Sequence, residues 1–384
     1  MRIGFDVSQT AENKAGCGFL ADQLIRYLLK HDRDNEYLLY PTFYSYRHHN
    51  YKKATSVDVP NCNVSFRNLS FREMVNEWDT TADDRTQWLG HPDIIHSNNF
   101  SCKKDHSARI VYTLYDVAPL VYPQFTTEEN RIVCFNGLFE ASLYADHCIA
   151  ISEYTKASFL HFFPHYPEDR ITIIPLGVRE NIVAITDREI IKKRLERFNL
   201  PEEFWLGVGT LEPRKNYSLL IDSYMEIKDN RPLVIAGGKG WLESDIINKL
   251  NKFDNKEKVK FLGYVSDDEL SALYSTCFAF VYPSYYEGFG LPILEAMHCG
   301  ATVITSKTSS LPEVGGDAVL YIDPDSKESL IEKMYMLITN SKIKDLLKSK
   351  ARERAAMFSW DDAAKITIDV YGKVIENRAW MEDK

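Results

Sequence analysis

The sequence contains neither a long apolar run nor an excess of basic residues. No stretch reaches the roughly 18 consecutive apolar residues of a transmembrane helix, and residues 1–10 lack the apolar core of a signal peptide. Lys and Arg together number 46 against 55 Asp and Glu, so the formal net charge is −9. General nucleic-acid binding needs a basic surface, and this balance excludes it. We therefore expect a cytoplasmic protein that binds no nucleic acid.

The sequence also lacks closely spaced pairs of cysteines. The seven cysteines are an odd number, and no two of them form a C-x-x-C motif. A disulfide framework and a structural zinc site are therefore both disfavoured, and free thiols fit a reducing cytosol. We expect no metal site.

Two common nucleotide-binding fingerprints are absent. Gly238-Lys239 has neither the upstream glycine nor the following Ser or Thr of a Walker A loop. The predicted first strand, residues 2–7, continues into Ser8-Gln9 instead of a G-x-G-x-x-G turn. These absences argue against a P-loop protein and against an NAD enzyme.

What the chain does contain is a repeated alternation of short apolar runs and amphipathic stretches. Its 384 residues correspond to about two and a half domains of roughly 150 residues. One series of strands and helices ends near Leu176, and a second begins near residue 205. The pattern predicts an α/β fold of two Rossmann-like domains with parallel sheets. Because ligands bind at the carboxyl ends of parallel strands, we expect the site in a cleft between the two facing sheets.

The strongest chemical signal is a glycine-rich loop between a predicted strand at 278–282 and a predicted helix. It reads Glu287, Gly288, Phe289, Gly290, Leu291 and Pro292. Proline is tolerated in the first turn of a helix, so the loop can present free backbone amides where anions bind. Glu287 and Glu295 flank these amides. The pattern predicts a phosphate-binding loop with a carboxylate on either side.

A second loop carries two adjacent cations. The run Gly209-Thr210-Leu211-Glu212-Pro213-Arg214-Lys215-Asn216 follows a predicted strand at 205–208. An arginine can bind a diphosphate through two N–H groups, and a lysine adds a point charge. Arg214 and Lys215 are therefore predicted to bind a diphosphate, with Gly209 and Thr210 forming the turn before them. A third loop, Gly237-Gly238-Lys239-Gly240, is either a simple turn or a site of close ligand approach.

These loops resemble the donor-binding half of retaining glycosyltransferases of the GT-B fold, in family 4. In the second half the resemblance is carried by Arg214-Lys215-Asn216, by residues 282–300 and by Ser309-Ser310-Leu311-Pro312-Glu313-Val314. In the first half it is looser, through Gly16-Cys17-Gly18, Tyr115-Asp116-Val117-Ala118-Pro119 and residues 150–155. It implies an acceptor-binding domain at 1–176, a nucleotide-sugar-binding domain at 177–360, and a C-terminal helix at 361–384 that crosses back to the first domain.

The resemblance also implies a role for each residue in the second half of the chain. Arg214 and Lys215 would neutralise the diphosphate leaving group, so that neither a metal ion nor another cofactor is required. Glu287 would contact hydroxyls of the donor sugar, and Glu295 those of the nucleotide ribose. The backbone amides of residues 289–291 would meet the sugar and phosphates.

In the first half, Gly16 and Gly18 would let their loop approach the donor phosphates. Many family members carry a histidine where this chain has Tyr115. The adjacent Asp116 is expected near the acceptor or the sugar. Tyr115 is read either as a core residue or as the counterpart of that histidine.

The resemblance implies transfer of a hexose in the synthesis of a bacterial surface polysaccharide. GDP-mannose is the leading donor, because the Tyr115-Asp116 variant and the glycine-rich loop resemble mannosyltransferases. UDP-sugars, GDP-fucose and dTDP-rhamnose stay open. The acceptor would be a saccharide or a lipid-linked oligosaccharide. Residues 44–90 form the expected acceptor-specific insertion, in which RHHNYKK at 47–53 is either a solvated loop or a peripheral contact with the inner membrane surface.

Two other functions stay open. One is a soluble disaccharide synthase or phosphorylase of the same fold. The other is a non-catalytic subunit that binds a nucleotide-sugar. The joint presence of Glu287, Arg214, Lys215 and Glu295 argues against the non-catalytic alternative.

Overall fold

The structure is a computed structural model. It describes residues 1–11, 16–40, 54–64, 86–87, 89–105, 107–238, 240, 246, 250–251, 253 and 256–376. The RHHNYKK run at 47–53, most of the expected insertion at 44–90, and Lys239 lie outside the described residues.

The first part of the chain forms a seven-stranded parallel sheet. Its strands are β1 (Arg2–Asp6), β2 (Glu36–Tyr40), β3 (Cys62–Val64), β4 (Ile94–Ser97), β5 (Arg109–Leu114), β6 (His147–Ala150) and β7 (Ile171–Ile173). Their spatial order is β3-β2-β1-β4-β5-β6-β7, so the strand order reverses between β1 and β4. Strands β4 and β6 are buried along their whole length, as expected where helices cover both faces of a parallel sheet.

The second part forms a six-stranded parallel sheet. Its strands are β8 (Trp205–Val208), β9 (Leu233–Ala236), β10 (Val259–Gly263), β11 (Ala279–Tyr282), β12 (Val303–Ser306) and β13 (Leu320–Ile322). Their order is β10-β9-β8-β11-β12-β13, with the reversal between β8 and β11. The rings of Trp205 and Phe278 pack edge to face in the hydrophobic core of this part, with ring centroids 4.9 Å apart.

Helices connect and cover the strands. They are α1 (Gly16–His31), α2 (Ala118–Val121), α3 (Glu128–Tyr144), α4 (Glu153–Phe162), α5 (Arg188–Leu195), α6 (Tyr217–Glu226), α7 (Asp267–Thr276), α8 (Leu291–His298), α9 (Leu311–Gly315), α10 (Lys327–Thr339), α11 (Ser341–Ala355) and α12 (Trp360–Glu376). Short 3-10 turns lie at Ser8–Thr10, Pro123–Phe125, Glu168–Arg170, Glu196–Phe198, Pro213–Lys215 and Lys256–Lys258. Within the described ranges, no helix has the length and apolar character needed to cross a membrane.

The chain divides into two compact units. The first unit comprises Met1–Val121, Glu128–Gly177 and Ser359–Lys384, and the second comprises Tyr122–Thr127 and Val178–Phe358. In the first unit α12 packs on α1, where Asp361 pairs with Lys30 at 2.8 Å. In the second unit the short segment Tyr122–Thr127 is held by ring stacking, with Phe125 and Tyr285 centroids 5.2 Å apart.

The predicted α/β class with two parallel sheets is confirmed. The predicted strand at 205–208 matches β8, because it is a short apolar run with a turn after it. The predicted strand at 278–282 matches β11 to within one residue. Strand β3 was not predicted. Its three residues, Cys-Asn-Val, form no apolar run and lie half-exposed or exposed at the sheet edge.

Candidate active site

The predicted donor-binding loops meet at one edge of the second sheet. Val208 at the end of β8 pairs with Ala236 at the end of β9, so the loops that follow leave the sheet side by side. Strand β11 lies on the other side of β8 and precedes the glycine-rich loop. The two loops with charged residues therefore flank the point where the strand order reverses, which is where open parallel sheets bind ligands.

Arg214, Lys215 and Glu287 form one cluster. The Glu287 carboxylate contacts Lys215 Nζ at 2.7 Å and an Arg214 terminal nitrogen at 2.9 Å. The other terminal nitrogen of Arg214 contacts the Glu212 carboxylate at 2.5 Å. The cluster thus holds two cations and two carboxylates, and its formal charges cancel.

The cluster is buried, and burial shapes its protonation. Only 9% of the Glu287 side chain and 10% of the Lys215 side chain are exposed. Burial by itself raises the pKa of the Glu287 carboxyl, but Arg214 and Lys215 outweigh it and bring the pKa down to about 2. Burial lowers the pKa of Lys215, and the nearby Glu287 carboxylate opposes this shift. Glu287 is therefore ionised at any physiological pH, and the cations face a fixed negative charge.

Contacts with the backbone and with a tyrosine hydroxyl hold the two cations in place. The Arg214 carbonyl accepts a hydrogen bond from the Tyr285 amide at 2.9 Å, and the Arg214 guanidinium donates to the Tyr286 carbonyl at 2.6 Å. Lys215 Nζ donates to the Tyr282 hydroxyl at 2.5 Å. The loop after β8 is thereby fastened to the end of β11 and to the loop that follows it, so the cations have little freedom to reorient.

The glycine-rich loop turns sharply into α8. Gly290 has a φ of 110°, a left-handed conformation that favours glycine, and it serves as the N-cap of α8. Within the described chain, the amides of Phe289 and Leu291, like that of Gly290, donate to no protein acceptor. Three backbone N–H groups at the N-terminus of this helix are therefore able to bind an anion.

Two serines brace this loop from the start of α9. Ser309 Oγ accepts a hydrogen bond from the Glu287 amide at 2.9 Å. Ser310 Oγ lies 2.8 Å from the carbonyl oxygens of both Glu287 and Phe289, so its single O–H is shared between these two acceptors. Ser309 itself has a φ of 53°, a strained value for a residue with a side chain. The strained residue is thus the one whose hydroxyl fixes the first residue of the glycine-rich loop.

Glu295 lies in the same helix but in a different ion pair. Its carboxylate meets Arg179 through two contacts, at 2.5 Å from Nε and 3.1 Å from a terminal nitrogen. Arg179 also contacts Asp267 at 2.8 Å. Burial raises the pKa of Glu295, and the Arg179 guanidinium limits this rise.

The glycines in the loops after β8 and β9 allow these two loops to approach each other closely. A Cβ on Gly237 would lie 2.0 Å from the carbonyl oxygen of Gly209, and a Cβ on Gly240 would lie 2.8 Å from the Thr210 side chain. The Leu211 amide donates to the Gly238 carbonyl at 3.1 Å. The close approach that the glycines permit is therefore between the loops after β8 and β9.

Asp116, Gly16 and Gly18 belong to the first unit. The Asp116 carboxylate accepts a hydrogen bond from the Ala118 amide at 2.8 Å and so caps the short helix α2. Tyr115 is buried, and its hydroxyl donates to the Asn98 carbonyl at 2.9 Å. These contacts fit the reading of Tyr115 as a core residue. Gly16 and Gly18 lie in the first turn of α1, and a Cβ on Gly16 would meet nothing within 4 Å.

Sequence reasoning missed Glu212, Arg179 and the bracing serines as members of the site. Glu212 was visible within the motif that contains Arg214, and a buried acid beside two cations was a usable signal. Arg179 had no such signal, because 116 positions separate it from Glu295. As for metals, no cluster of three or more His, Cys, Asp or Glu suited to holding an ion occurs among the described residues.

Comparison with known proteins agrees with this geometry. The family model for group 1 glycosyl transferases matches residues 187–354, and the model for glycosyltransferase family 4 matches residues 22–181. O-antigen chain mannosyltransferase B of Escherichia coli is 32% identical over 284 residues, which cover 72% of this chain and 74% of that protein. The serotype-specific mannosyltransferase WbdA of Escherichia coli is 32% identical over 278 residues, 70% of this chain but only 34% of WbdA.

The fold has solved counterparts. Anabaena HepE, solved in complex with UDP and glucose, superimposes with a TM-score of 0.72 at 19% identity, and the match covers 97% of this chain and 100% of that one. The likeness at this identity concerns the fold alone. Together with the two family models and the relative matched over most of both chains, it leads to one conclusion: the chain belongs to family 4 of the glycosyltransferases and is a glycosyltransferase of the GT-B fold.

Proposed function

We propose that the protein transfers a hexose, mannose from GDP-mannose, to a saccharide or lipid-linked saccharide acceptor in the synthesis of a bacterial surface polysaccharide. Support for mannose comes from two relatives named as mannosyltransferases, which share 32% identity with this chain. Support for a nucleotide-sugar donor comes from the buried cluster of Arg214, Lys215 and Glu287 at the carboxyl edge of the second sheet.

That cluster is the observation on which the proposal rests. A nucleoside diphosphate leaving group carries several negative charges, and Arg214 and Lys215 supply two cations in a site with little water. Both cations are held by backbone and hydroxyl contacts, so they need not reorganise when charge develops on the diphosphate. The amides of residues 289–291 add donors beside them. This set of donors stabilises the leaving group without a metal ion.

The two acids would bind the two sugar rings of the donor. Glu287 is ionised and fixed by Arg214 and Lys215, so it can accept hydrogen bonds from hydroxyls of the transferred hexose next to the diphosphate. Glu295 would accept from the hydroxyls of the nucleotide ribose. The second unit is thus the donor-binding unit in our proposal.

The first unit would bind the acceptor. Asp116 would lie near the acceptor or the transferred sugar, and Gly16 and Gly18 would admit the donor phosphates at the start of α1. With a lipid-linked acceptor, the protein would work at the inner surface of the membrane. We propose transfer with retention of configuration, by attack from the face that the diphosphate leaves, with the leaving phosphate accepting the proton of the acceptor hydroxyl.

A donor panel tests the proposal. Purified protein is incubated with GDP-mannose, GDP-fucose, UDP-glucose and dTDP-rhamnose in the presence of mannosyl oligosaccharides, free or carried on a lipid diphosphate. Release of nucleoside diphosphate is measured with and without EDTA, and the anomeric configuration of the product is determined by NMR. We expect turnover with GDP-mannose, unaffected by EDTA, and an α-linked product.

Each part of the proposal has its own contrary result. A different preferred donor would overturn the GDP-mannose assignment, and an inverted product would overturn retention. A strict requirement for a divalent ion would overturn the role given to Arg214 and Lys215. Transfer to free phosphate or to a small sugar alone would favour the disaccharide synthase or phosphorylase.

A further inference from the structure

Arg179 and Glu295 form a nearly dry, two-contact ion pair in the second unit. Only 10% of the Arg179 side chain and 3% of the Glu295 side chain are exposed. Nε and one terminal nitrogen of Arg179 each meet a different carboxylate oxygen of Glu295, at 2.5 and 3.1 Å. Such a paired contact makes the guanidinium and carboxylate planes line up, so it fixes the orientation of the acid as well as its charge.

Arg179 is itself held from a second side. Its remaining terminal nitrogen contacts Asp267 at 2.8 Å, in the first turn of α7. The start of α7 is fixed by a capping box in which Ser266 Oγ accepts from the Glu269 amide and the Glu269 carboxylate accepts from the Ser266 amide. Arg179 therefore bridges a rigid end of α7 and the Glu295 carboxylate in α8.

This pairing leaves part of the Glu295 carboxylate able to bind hydroxyls. An ionised carboxylate has about four acceptor positions on its two oxygens. Arg179 uses one position on each oxygen. Burial raises the pKa of Glu295 and the nearby Tyr274 hydroxyl opposes this rise, but that hydroxyl makes no hydrogen bond among the described residues, so each oxygen retains one position for a further donor. Two acceptor positions, about 2.2 Å apart and fixed in one plane, match a pair of neighbouring hydroxyls such as those of a ribose.

We propose that Arg179 is a positioning residue for nucleotide recognition: it orients the Glu295 carboxylate so that both oxygens accept from the ribose diol of the donor. This inference rests on the proposed function, in which Glu295 binds the ribose. It adds a residue that none of the sequence motifs above contains, and it predicts that discrimination for ribose depends on Arg179.

The test is a comparison of ribose and dideoxyribose binding. Dissociation constants are measured by calorimetry for GDP and UDP and for their 2′,3′-dideoxy forms, in the wild-type protein and in Arg179→Lys. The comparison uses whichever nucleotide, GDP or UDP, the wild-type protein binds more tightly, together with its dideoxy form. We expect wild-type protein to prefer the ribose form by about tenfold or more, the scale of hydrogen bonds to a charged group. Arg179→Lys should lose most of this preference while its affinity for the dideoxy form stays unchanged.

Arg197, which pairs with another acid of α7, offers a matched control. Arg197 pairs with Glu269 of α7 through two contacts, at 2.5 and 2.7 Å, but its side chain is 58% exposed. Arg197→Lys keeps the charge but removes the same kind of two-contact geometry, and it should leave the ribose preference intact. If Arg179→Lys does not fold, Asp267→Asn serves instead, because it frees Arg179 on one side and should reduce the preference in part.

The possible outcomes distinguish the positioning role of Arg179 from the proposed binding of ribose by Glu295. Retention of the full ribose preference in Arg179→Lys, or in Asp267→Asn where that variant stands in, overturns the positioning role. A parallel loss of affinity for both forms also overturns it, because that pattern marks a purely structural effect. The variant Glu295→Gln tests the proposed binding of ribose by Glu295. If this variant keeps the preference for the ribose form, that role of Glu295 is wrong. If Glu295→Gln loses the preference and Arg179→Lys keeps it, only the inference about Arg179 fails.

Discussion

Glu287 and Lys215 form a buried ion pair, with the carboxylate 2.7 Å from the ammonium. Arg214 meets the same carboxylate at 2.9 Å and the Glu212 carboxylate at 2.5 Å, so two acids balance the two cations in the absence of substrate. Leaving Arg214 and Lys215 buried without a counter-charge would be costly. A diphosphate that arrives brings its own negative charge, and the cations can then share their hydrogen bonds between the phosphate oxygens and Glu287.

Removal of either cation should slow catalysis strongly. In Arg214→Ala or Lys215→Ala we expect kcat to fall by at least about tenfold, because one charged contact to the leaving group is lost. The measurement is the steady-state rate with the preferred donor. Arg231→Ala is the control, since Arg231 also pairs with two acids, Asp229 and Glu203, but lies before β9 at the opposite edge of the sheet. Unchanged kinetics in both cation variants would contradict the diphosphate assignment.

Glu212 should affect catalysis differently from the cations. Glu212→Gln removes one of the two acids of the cluster and leaves a net positive charge, while Arg214 loses a charged partner at 2.5 Å. We expect kcat to fall about fivefold, because Arg214 is less firmly oriented. Affinity for the nucleoside diphosphate product should not fall, because the site is more positive. Both are measured in one assay by product inhibition. A parallel fall of kcat and product affinity would argue against this role, and Glu203→Gln at the surface serves as control.

The sequence predicts the carboxyl edge of the second sheet well, because each buried strand and the loop after it are visible in a short stretch of sequence. A parallel strand buried on both faces reads as a short apolar run, as in Trp205–Val208 and Leu233–Ala236. The residues directly after such runs lie at the carboxyl edge of the sheet, so the loops with Arg214 and Glu287 can be placed from their position in the chain alone.

What sequence could not predict depends on contacts between distant segments. The partner of Glu295 is Arg179, and nothing around Arg179 marks it as the partner of that acid. The segment Tyr122–Thr127 packs in the second unit through the ring of Tyr285, although the chain on both sides of it belongs to the first unit. Likewise, the role of Gly237 depends on the backbone of Gly209, which only the register of β8 and β9 brings close.

Ser310 should matter for donor binding through the glycine-rich loop. In Ser310→Ala the carbonyls of Glu287 and Phe289 lose their common donor, at a cost of about 1–3 kcal/mol in stability. We expect KM for the donor to rise several-fold, because the loop amides are held less firmly. Kinetics and thermal unfolding are compared with those of Ser306→Ala. Ser306 is also buried, but its hydroxyl has no hydrogen-bond partner in the described structure. Equal effects of the two substitutions would contradict the bracing role.

His96 should make the first unit less stable in mild acid. Burial lowers the pKa of His96 from its ordinary value of 6.5 to about 3 in the folded protein. Both ring nitrogens are engaged, with the Tyr371 hydroxyl at 2.5 Å and the Thr113 hydroxyl at 2.8 Å. Between these values the unfolded chain binds a proton that the folded chain does not. The free energy of unfolding should therefore fall by about 1.4 kcal/mol per pH unit as pH drops below 6.5.

Denaturant unfolding at pH 7, 6 and 5 measures this slope. His147 contributes to the same window, because burial lowers its pKa to about 4. We expect His96→Asn to reduce the slope without abolishing it. Tyr371→Phe should keep it, since the imidazole stays buried. A slope unchanged in His96→Asn would show that His96 is not the group responsible.

Two neighbouring glycines, Gly237 and Gly238, should differ strongly in their response to the same substitution. A Cβ on Gly237, whose φ is 157°, would lie 2.0 Å from the Gly209 carbonyl oxygen, so either the loop after β8 or the loop after β9 must move. We expect Gly237→Ala to reduce stability by about 2 kcal/mol or more and to weaken nucleotide binding, because Gly209 leads into the turn that holds Lys215. A Cβ on Gly238 would meet nothing within 4 Å, so Gly238→Ala should leave the melting temperature and binding almost unchanged. If Gly237→Ala is as stable and binds as well as Gly238→Ala, the contact between the loops does not support the site.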